Sequence, residues 1–246
     1  MDTGQKSINP DVFGNDLGTV LFDFDGTLVF HEPDSFDMIS AYCAEIGQSL
    51  SPRAQRLGRR RRHEYFVDPL IREQISGRPA DEFWLHLNRH LLEAICIEGD
   101  LDAMAEAVTG RLRDTAFTYR CPPSGRRILA ELRARGYSLG LVTNRSNVER
   151  FHELLDELGL WSYFDMILAS GEVGIPKPEP TIFFAALDRL GATASEALYV
   201  GDNYWADVVG ARRAGILPIL VDPHKLFPEA DCLVLEQVDE LLGWLP

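Results

Sequence analysis

Two aspartates one residue apart, Asp23 and Asp25, close the short apolar run Val20-Leu21-Phe22. In extended backbone residues i and i+2 face the same way, so both carboxylates point to one site and Phe24 points away from it. Carboxylates held that close repel unless a cation or a shared proton sits between them. The chemistry implied is the holding of a cation, or of a shared proton, between the two carboxylates. Gly26 lets the chain turn immediately afterwards, and Thr27 adds a hydroxyl. By itself the pattern reads as the polar, solvated end of a strand, so any further meaning rests on residues later in the chain.

Two more apolar runs end in the same manner. Ser138 to Val142 stops at Thr143-Asn144, and Ala197 to Val200 stops at Gly201-Asp202, with Asp207 five residues on. Positive charge comes almost entirely from arginine, because the chain has three lysines, Lys6, Lys177 and Lys225. Lys177 lies in Gly174-Ile-Pro-Lys-Pro-Glu-Pro180, stiffened by three prolines. A compact ammonium fits where one cation must meet an aspartate and a phosphate oxygen together.

The elements that must position these residues are strands alternating with helices. From residue 119 onward the pattern predicts helix 124–135, strand 137–142, helix 147–158, strand 164–169, helix 180–190, strand 197–200, helix 205–214 and strand 216–221. A short strand near 232–235 and a last helix, 238–244, come after these. Gly136, Gly159, Gly191 and Gly215 sit where helices end. Strands alternating with 10–15-residue helices predict a parallel α/β sheet, doubly wound and Rossmann-like. Ligands of such sheets bind beyond the carboxyl ends of the strands, where Asp23, Asp25, Thr143, Asn144 and Asp202 all fall. Between residues 30 and 117 no strand is expected. Helices are predicted there from Asp34 or Ser35 to Gly47, from Ser51-Pro52, from Pro79, and over Leu101 to Arg113. The expected organisation is a core of residues 17–29 and 118–246, an all-helical cap over 30–117, and a flexible N-terminus over 1–16.

Asp-Phe-Asp-Gly-Thr-Leu at 23–28 resembles the first motif of the haloacid dehalogenase superfamily, in its phosphatase branch. Thr143-Asn144 resembles the second motif, Lys177 the third, and Gly201-Asp202 with Asp207 the fourth. The insert resembles the cap placed after the first motif. The resemblance implies a phosphoric monoester hydrolase that uses Mg²⁺ and acts on a small phosphate ester. It implies that Asp23 is the nucleophile, becoming an aspartyl phosphate, and that Asp25 is the acid and then the base. Thr143 and the backbone N–H of Asn144 would hold phosphate oxygens, and Lys177 would neutralise nucleophile and phosphoryl group. Asp202, one oxygen of Asp23 and the backbone carbonyl of Asp25 would bind the metal. Asp207 would support the metal or orient Lys177. The dehalogenase branch lacks an acid at the position of Asp25, and no lysine lies between 29 and 117 for phosphonatase chemistry. A phosphomutase of the β-phosphoglucomutase kind and a non-catalytic binding module on the same fold stay open.

The remaining features set bounds. Over 246 residues, 46% hydrophobic and 25% charged, the composition supports a globular core, and the formal net charge of −14 disfavours nucleic acid and anionic membranes as partners. The four cysteines, Cys43, Cys96, Cys121 and Cys232, form no C-x-x-C pair, so reduced thiols and a cytoplasmic protein are expected. No signal peptide and no membrane-length apolar run is read. Monomer and homodimer both suit this size. Arg53, Arg56, Arg59, Arg60, Arg61 and Arg62 form a charge run; the plain reading is a solvated helix face, the sharper one contact with an anionic substrate. His86 and His90, four apart, are read as ordinary helix residues.

Overall fold

The structure, a computed structural model, describes residues 17–71 and 79–246, apart from the side chains of residues 80 and 81. The expected flexible stretch 1–16 lies outside the described residues. By internal contact the chain divides into two units: residues 1–29, 121–223 and 229–246, and residues 30–120 with 224–228.

The first unit is built on a six-stranded sheet. In chain order its strands are β1 (Thr19–Phe22), β4 (Ser138–Thr143), β5 (Met166–Ala169), β6 (Ala197–Gly201), β7 (Leu217–Val221) and β8 (Leu233–Leu235). Their spatial order is β5-β4-β1-β6-β7-β8, and each neighbouring pair is parallel. β1 is central because it can be: Val20, Leu21 and Phe22 are fully buried, as a strand covered on both faces requires. The chain runs from β1 to β4 and β5 on one side, then crosses to β6 on the other. β1 therefore marks the switch point, and the carboxyl ends of β4, β1 and β6 lie side by side.

Three helices between these strands fall within a residue of their predicted spans: α5 (Pro123–Ala134), α6 (Val148–Glu157) and α8 (Pro180–Leu190). The single turn α7 (Ser170–Val173), which the sequence does not predict, follows β5, and α9 (Gly210–Arg213) precedes β7. Proline lies in the first turn of α5 and of α8, where its missing N–H removes no helical bond. Asn147 caps α6, its side chain accepting from the Arg150 N–H. The helix expected over 205–214 instead opens as a π-helical stretch, Tyr204–Val209, before α9. Asp207 accounts for the difference. Its Oδ2 accepts the Asn203 N–H at 2.9 Å, and that widened turn carries the carboxylate inward, where it is fully buried. The chain closes on a 3₁₀ helix, Val238–Gly243.

The second unit holds α1 (Ser35–Glu45), α2 (Pro52–Tyr65), α3 (Ala80–Ala94) and α4 (Leu101–Asp114). Asp34, Ser51 and Asp100 cap three of them through side-chain oxygens. Its core gathers Phe36, Ile39, Cys43, Tyr65, Leu91 and Ala105, among others. The expected absence of a strand after residue 29 fails at one place. β2 (Phe30–Glu32) pairs antiparallel with β3 (Thr118–Arg120). Three residues, Phe-His-Glu, with only the middle one partly covered, leave no periodic signal to read. Segment 224–228 belongs here by contact: Arg60 donates to the Leu226 carbonyl at 3.2 Å and lies over the Phe227 ring. Among the described residues no helix is long and apolar enough to cross a membrane.

Candidate active site

The D-x-D stretch lies just past the end of β1, with a bend at Phe24. Phe24 is fully buried and meets Phe151 of α6 edge-on at 5.1 Å, while Asp23 is buried beside Lys177 and Asp25 is half-exposed. Burying such a ring contributes about 1.5–3 kcal/mol, which anchors the end of β1. The turn beyond is tied down by Gly26 N–H to the Val29 carbonyl, 2.9 Å, and by Leu28 and Val29 N–H groups to the Phe24 carbonyl. Gly26 has φ +79°, and a Cβ there would fall 2.1 Å from Asp202 Oδ2. Its absence lets the ends of β1 and β6 approach. Gly201 does the same for Asp207, whose carboxyl carbon would lie 2.3 Å from an added Cβ.

Lys177 is the centre of the site. Its ammonium is buried and donates to Asp23 Oδ1 at 2.7 Å, to Asp207 Oδ1 at 2.7 Å and to the Tyr199 hydroxyl at 2.8 Å. Three N–H bonds are all an ammonium has. Tyr199 passes its own proton to the Val142 carbonyl at 3.0 Å. The lysine's loop is held in turn by Asn144. Its Oδ1 accepts the Lys177 N–H at 2.8 Å and its Nδ2 donates to the Lys177 carbonyl at 3.0 Å, a pairing that mimics a strand.

The charges do not balance. Burial would lower the Lys177 pKa, but Asp207 and Asp23 more than offset it, so it stays cationic. Asp23 is nonetheless pushed up to about 7, chiefly by burial; Lys177 counters this, while Asp207 and Asp25 add to it. Asp202 is raised well above the carboxylate range by burial, then by Asp23 and Asp207. Both acids are short of a cation. Asp23, Asp202 and Asp207 each offer a carboxylate oxygen within 4.8 Å of the others. Hard oxygen donors in that number suit Mg²⁺, which takes one or two carboxylates plus phosphate and water. Asp207 has both oxygens engaged, by Lys177 and the Asn203 N–H, and serves as their support.

Asp23, Lys177, Asp202 and Asp207 are thus brought into one cluster. Thr143, buried, ends β4, the strand paired with β1, and Asn144 follows it, its amide turned to the lysine loop. Asp25 is gripped by Arg145: Nε donates to Oδ2 at 2.8 Å and Nη2 to Oδ1 at 2.5 Å. Arg145 and Tyr199 escaped the sequence reading. Tyr199 sits inside an apolar strand and reads as core; Arg145 had only its place next to Asn144 as a signal.

The charge run on α2 has a different fate. Arg59 pairs with Asp34 at 3.0 Å and Asp37 at 2.5 Å, Arg60 and Arg61 pair with Glu64, and Arg62 donates to the Ser35 hydroxyl. These four are held by partners within the second unit, and the Arg59 side chain is only 16% exposed. His86 accepts or donates a hydrogen bond with the Tyr65 hydroxyl at 2.9 Å, and His90 packs near the same ring.

Residues 17–215 match the haloacid dehalogenase-like hydrolase family. The chain is 31% identical over 217 residues to a ribulose-1,5-bisphosphate 5-phosphatase of Halopiger xanaduensis, covering 84% of this chain and 85% of that one. It is 37% identical over 136 residues to a glyceraldehyde 3-phosphate phosphatase of Methanopyrus kandleri, covering 55% of this chain and 58% of the relative. A crystal structure of a phosphatase of this superfamily from Thermococcus onnurineus superposes with a TM-score of 0.53 at 23% identity, over 92% of this chain and 97% of that one; the likeness speaks for the fold. The sheet order, the convergent strand ends and these matches agree, and the chain belongs to the haloacid dehalogenase-like hydrolase family.

Proposed function

We propose that this hydrolase is a Mg²⁺-dependent phosphatase that cleaves a small phosphomonoester through an aspartyl phosphate on Asp23. The observation that carries the reading is the state of Asp23. Lys177 holds its Oδ1, leaving Oδ2 for attack, while among the described residues the neighbouring Asp202 pairs with no cation. Relatives named for ribulose 1,5-bisphosphate and glyceraldehyde 3-phosphate support a small phosphorylated metabolite as substrate.

In the first step Asp23 Oδ2 bonds to phosphorus, the ester P–O bond breaks, and Asp25 gives a proton to the leaving oxygen. In the second, Asp25 takes a proton from water as it attacks phosphorus, and the bond to Asp23 breaks. Splitting a very slow hydrolysis into two displacements lowers each barrier. Thr143 and the Asn144 N–H hold phosphoryl oxygens. Lys177 keeps Asp23 oriented, and Asp207 with Tyr199 fixes Lys177. Asp202, an oxygen of Asp23 and the backbone carbonyl of Asp25 would hold Mg²⁺, which when bound supplies charge against the phosphoryl oxygens.

A panel of phosphorylated metabolites assayed for phosphate release, with Mg²⁺ and with excess chelator, tests this. Release from at least one ester that stops on chelation is expected, and Ca²⁺ in place of Mg²⁺ should inhibit, because its looser coordination draws both Asp23 oxygens to itself. Release undiminished by chelator would overturn the metal assignment; no release from any ester would overturn the activity.

A further inference from the structure

We infer that Arg145 is a positioning residue for Asp25, fixing the carboxylate in one orientation for proton transfer; this rests on the proposed acid/base role of Asp25. The Asp25 side chain is 47% exposed, on a turn beyond the end of β1. Its backbone is fixed by the bridge to Val29, but an exposed aspartate side chain otherwise turns among several rotamers. The guanidinium removes that freedom by meeting both oxygens at once, at 2.8 and 2.5 Å. Such a fork sets the plane of the carboxylate as well as its place, which a single ammonium does not do. Each oxygen keeps a further lone pair for the proton that Asp25 gives and takes.

Arg145 is itself held. Its guanidinium lies over the ring of Phe24, the residue between Asp23 and Asp25 in the chain, at 5.5 Å. Its carbonyl accepts the Gly171 N–H at 3.1 Å and faces the Ser170 hydroxyl. Gly171 must be glycine for this loop to sit there, since a Cβ would fall 2.3 Å from the Ser146 carbonyl oxygen. The same loop carries Thr143 and Asn144 immediately before Arg145. The segment proposed to hold the phosphoryl group thus also aims the acid. Proton transfer depends steeply on such alignment, and a misplaced acid costs most where the leaving group needs the proton most.

The test is a pair of substrates with wild type, Arg145→Gln and Arg145→Lys. Glycerol phosphate leaves as an alkoxide and needs the acid; para-nitrophenyl phosphate leaves with little help. In Arg145→Gln, the single-turnover rate of alcohol release from the alkyl ester should fall about 10²-fold. Nitrophenolate release from the aryl ester in a single turnover should fall less than about threefold, while the second step, which uses the same carboxylate as base, slows alike for both. Arg145→Lys keeps the charge without the fork, and should recover only a small part of the alkyl activity. Guanidinium ion added to Arg145→Gln should restore more of it than ammonium does. Equal losses of the two single-turnover release rates would make Arg145 a general structural residue and overturn the inference. So would unchanged or raised alkyl activity in Arg145→Gln, or full activity in Arg145→Lys. A wild type silent on every ester of the metabolite panel would overturn the phosphatase reading first, which separates that failure from this one.

Discussion

The Asp23–Lys177 cluster and the α2 arginines are both dense groups of charge, and they end in opposite states. At Asp34, in the second unit, burial pushes the carboxyl up, but Arg59 and the Asp37 N–H more than offset it, and it lies below the usual range. At Asp23 burial wins although Lys177 stands 2.7 Å away. In α2 each acid has an arginine at hand and the side chains reach water, so the charges are settled and shape a surface. In the core, one lysine serves two acids and a third stands near with no cation of its own. Charge that is fully answered builds structure; charge left unanswered in a buried place has room for a metal and an anion.

Lys177→Ala should break the contrast most severely. It leaves Asp207, fully buried, without its cation, and removing one partner of a buried pair typically costs about 3–5 kcal/mol. Loss of activity should reach about 10³-fold, as when a preorganised donor is removed from an active site. Lys177→Arg should be nearly as harmful, because a planar fork does not satisfy two carboxylates and a phenol in the space of an ammonium. Steady-state kinetics and thermal unfolding check both. An arginine variant near wild-type activity would make Lys177 a diffuse charge.

Tyr199→Phe sharpens the comparison within the core. It removes one acceptor from Lys177 and a donor from the Val142 carbonyl, leaving the ring in place. A loss of about 1–3 kcal/mol in stability, with about a tenfold fall in kcat, is expected for an orphaned buried N–H. Denaturant midpoints and kcat at saturating substrate measure it.

In α2 the expected effects are smaller and leave catalysis alone. Arg59→Ala loses two ion pairs and the contact over Phe36, for about 1 kcal/mol of stability. Arg61→Ala, at a largely exposed pair, should stay within about 0.5 kcal/mol. His63 adds a pH dependence. Burial first, then Arg62, His224 and Arg59, hold it down to about 3 from 6.5. The unfolded chain then binds a proton that the folded chain refuses between those values. Stability from this source is complete above about pH 6.5 and is lost as pH falls toward 3. His63→Gln should show a smaller fall in melting temperature between pH 7 and pH 5 than wild type does. An equal fall in both would remove His63 as the source of the pH dependence.

Much of the fold and site was legible in the sequence, for identifiable reasons. Val20-Leu21-Phe22 announced a central strand because only a strand covered on both sides is apolar throughout. Asp23, Lys177 and Asp202 were legible because each comes after an apolar run or sits among prolines, where polarity needs a cause. The helix starts near Asp34, Ser51 and Asn147 were visible as short polar side chains ahead of helical periods, and all three prove to be caps. What stayed hidden lacked local contrast. β2 is three residues of mixed character, and it exists because β3, some ninety residues on, pairs with it. The π-helical turn at Tyr204 is set by where Asp207 must reach. Tyr199 and Arg145 have roles defined wholly by residues distant in the chain, Lys177 and Asp25, and no spacing rule marks such a pairing.

The central claim is that Asp23 carries the phosphoryl group and Asp25 moves the protons. Intact-protein mass spectrometry on rapidly quenched Asp25→Asn, mixed with para-nitrophenyl phosphate and Mg²⁺, tests it most directly. The aryl group departs without an acid, and the asparagine does not activate water, so a phosphoryl adduct should build up and decay slowly, with fragmentation placing it on Asp23. Asp23→Asn should form no adduct under the same conditions. An adduct of equal size in Asp23→Asn, or none in Asp25→Asn alongside equal rate losses for aryl and alkyl esters, would contradict it.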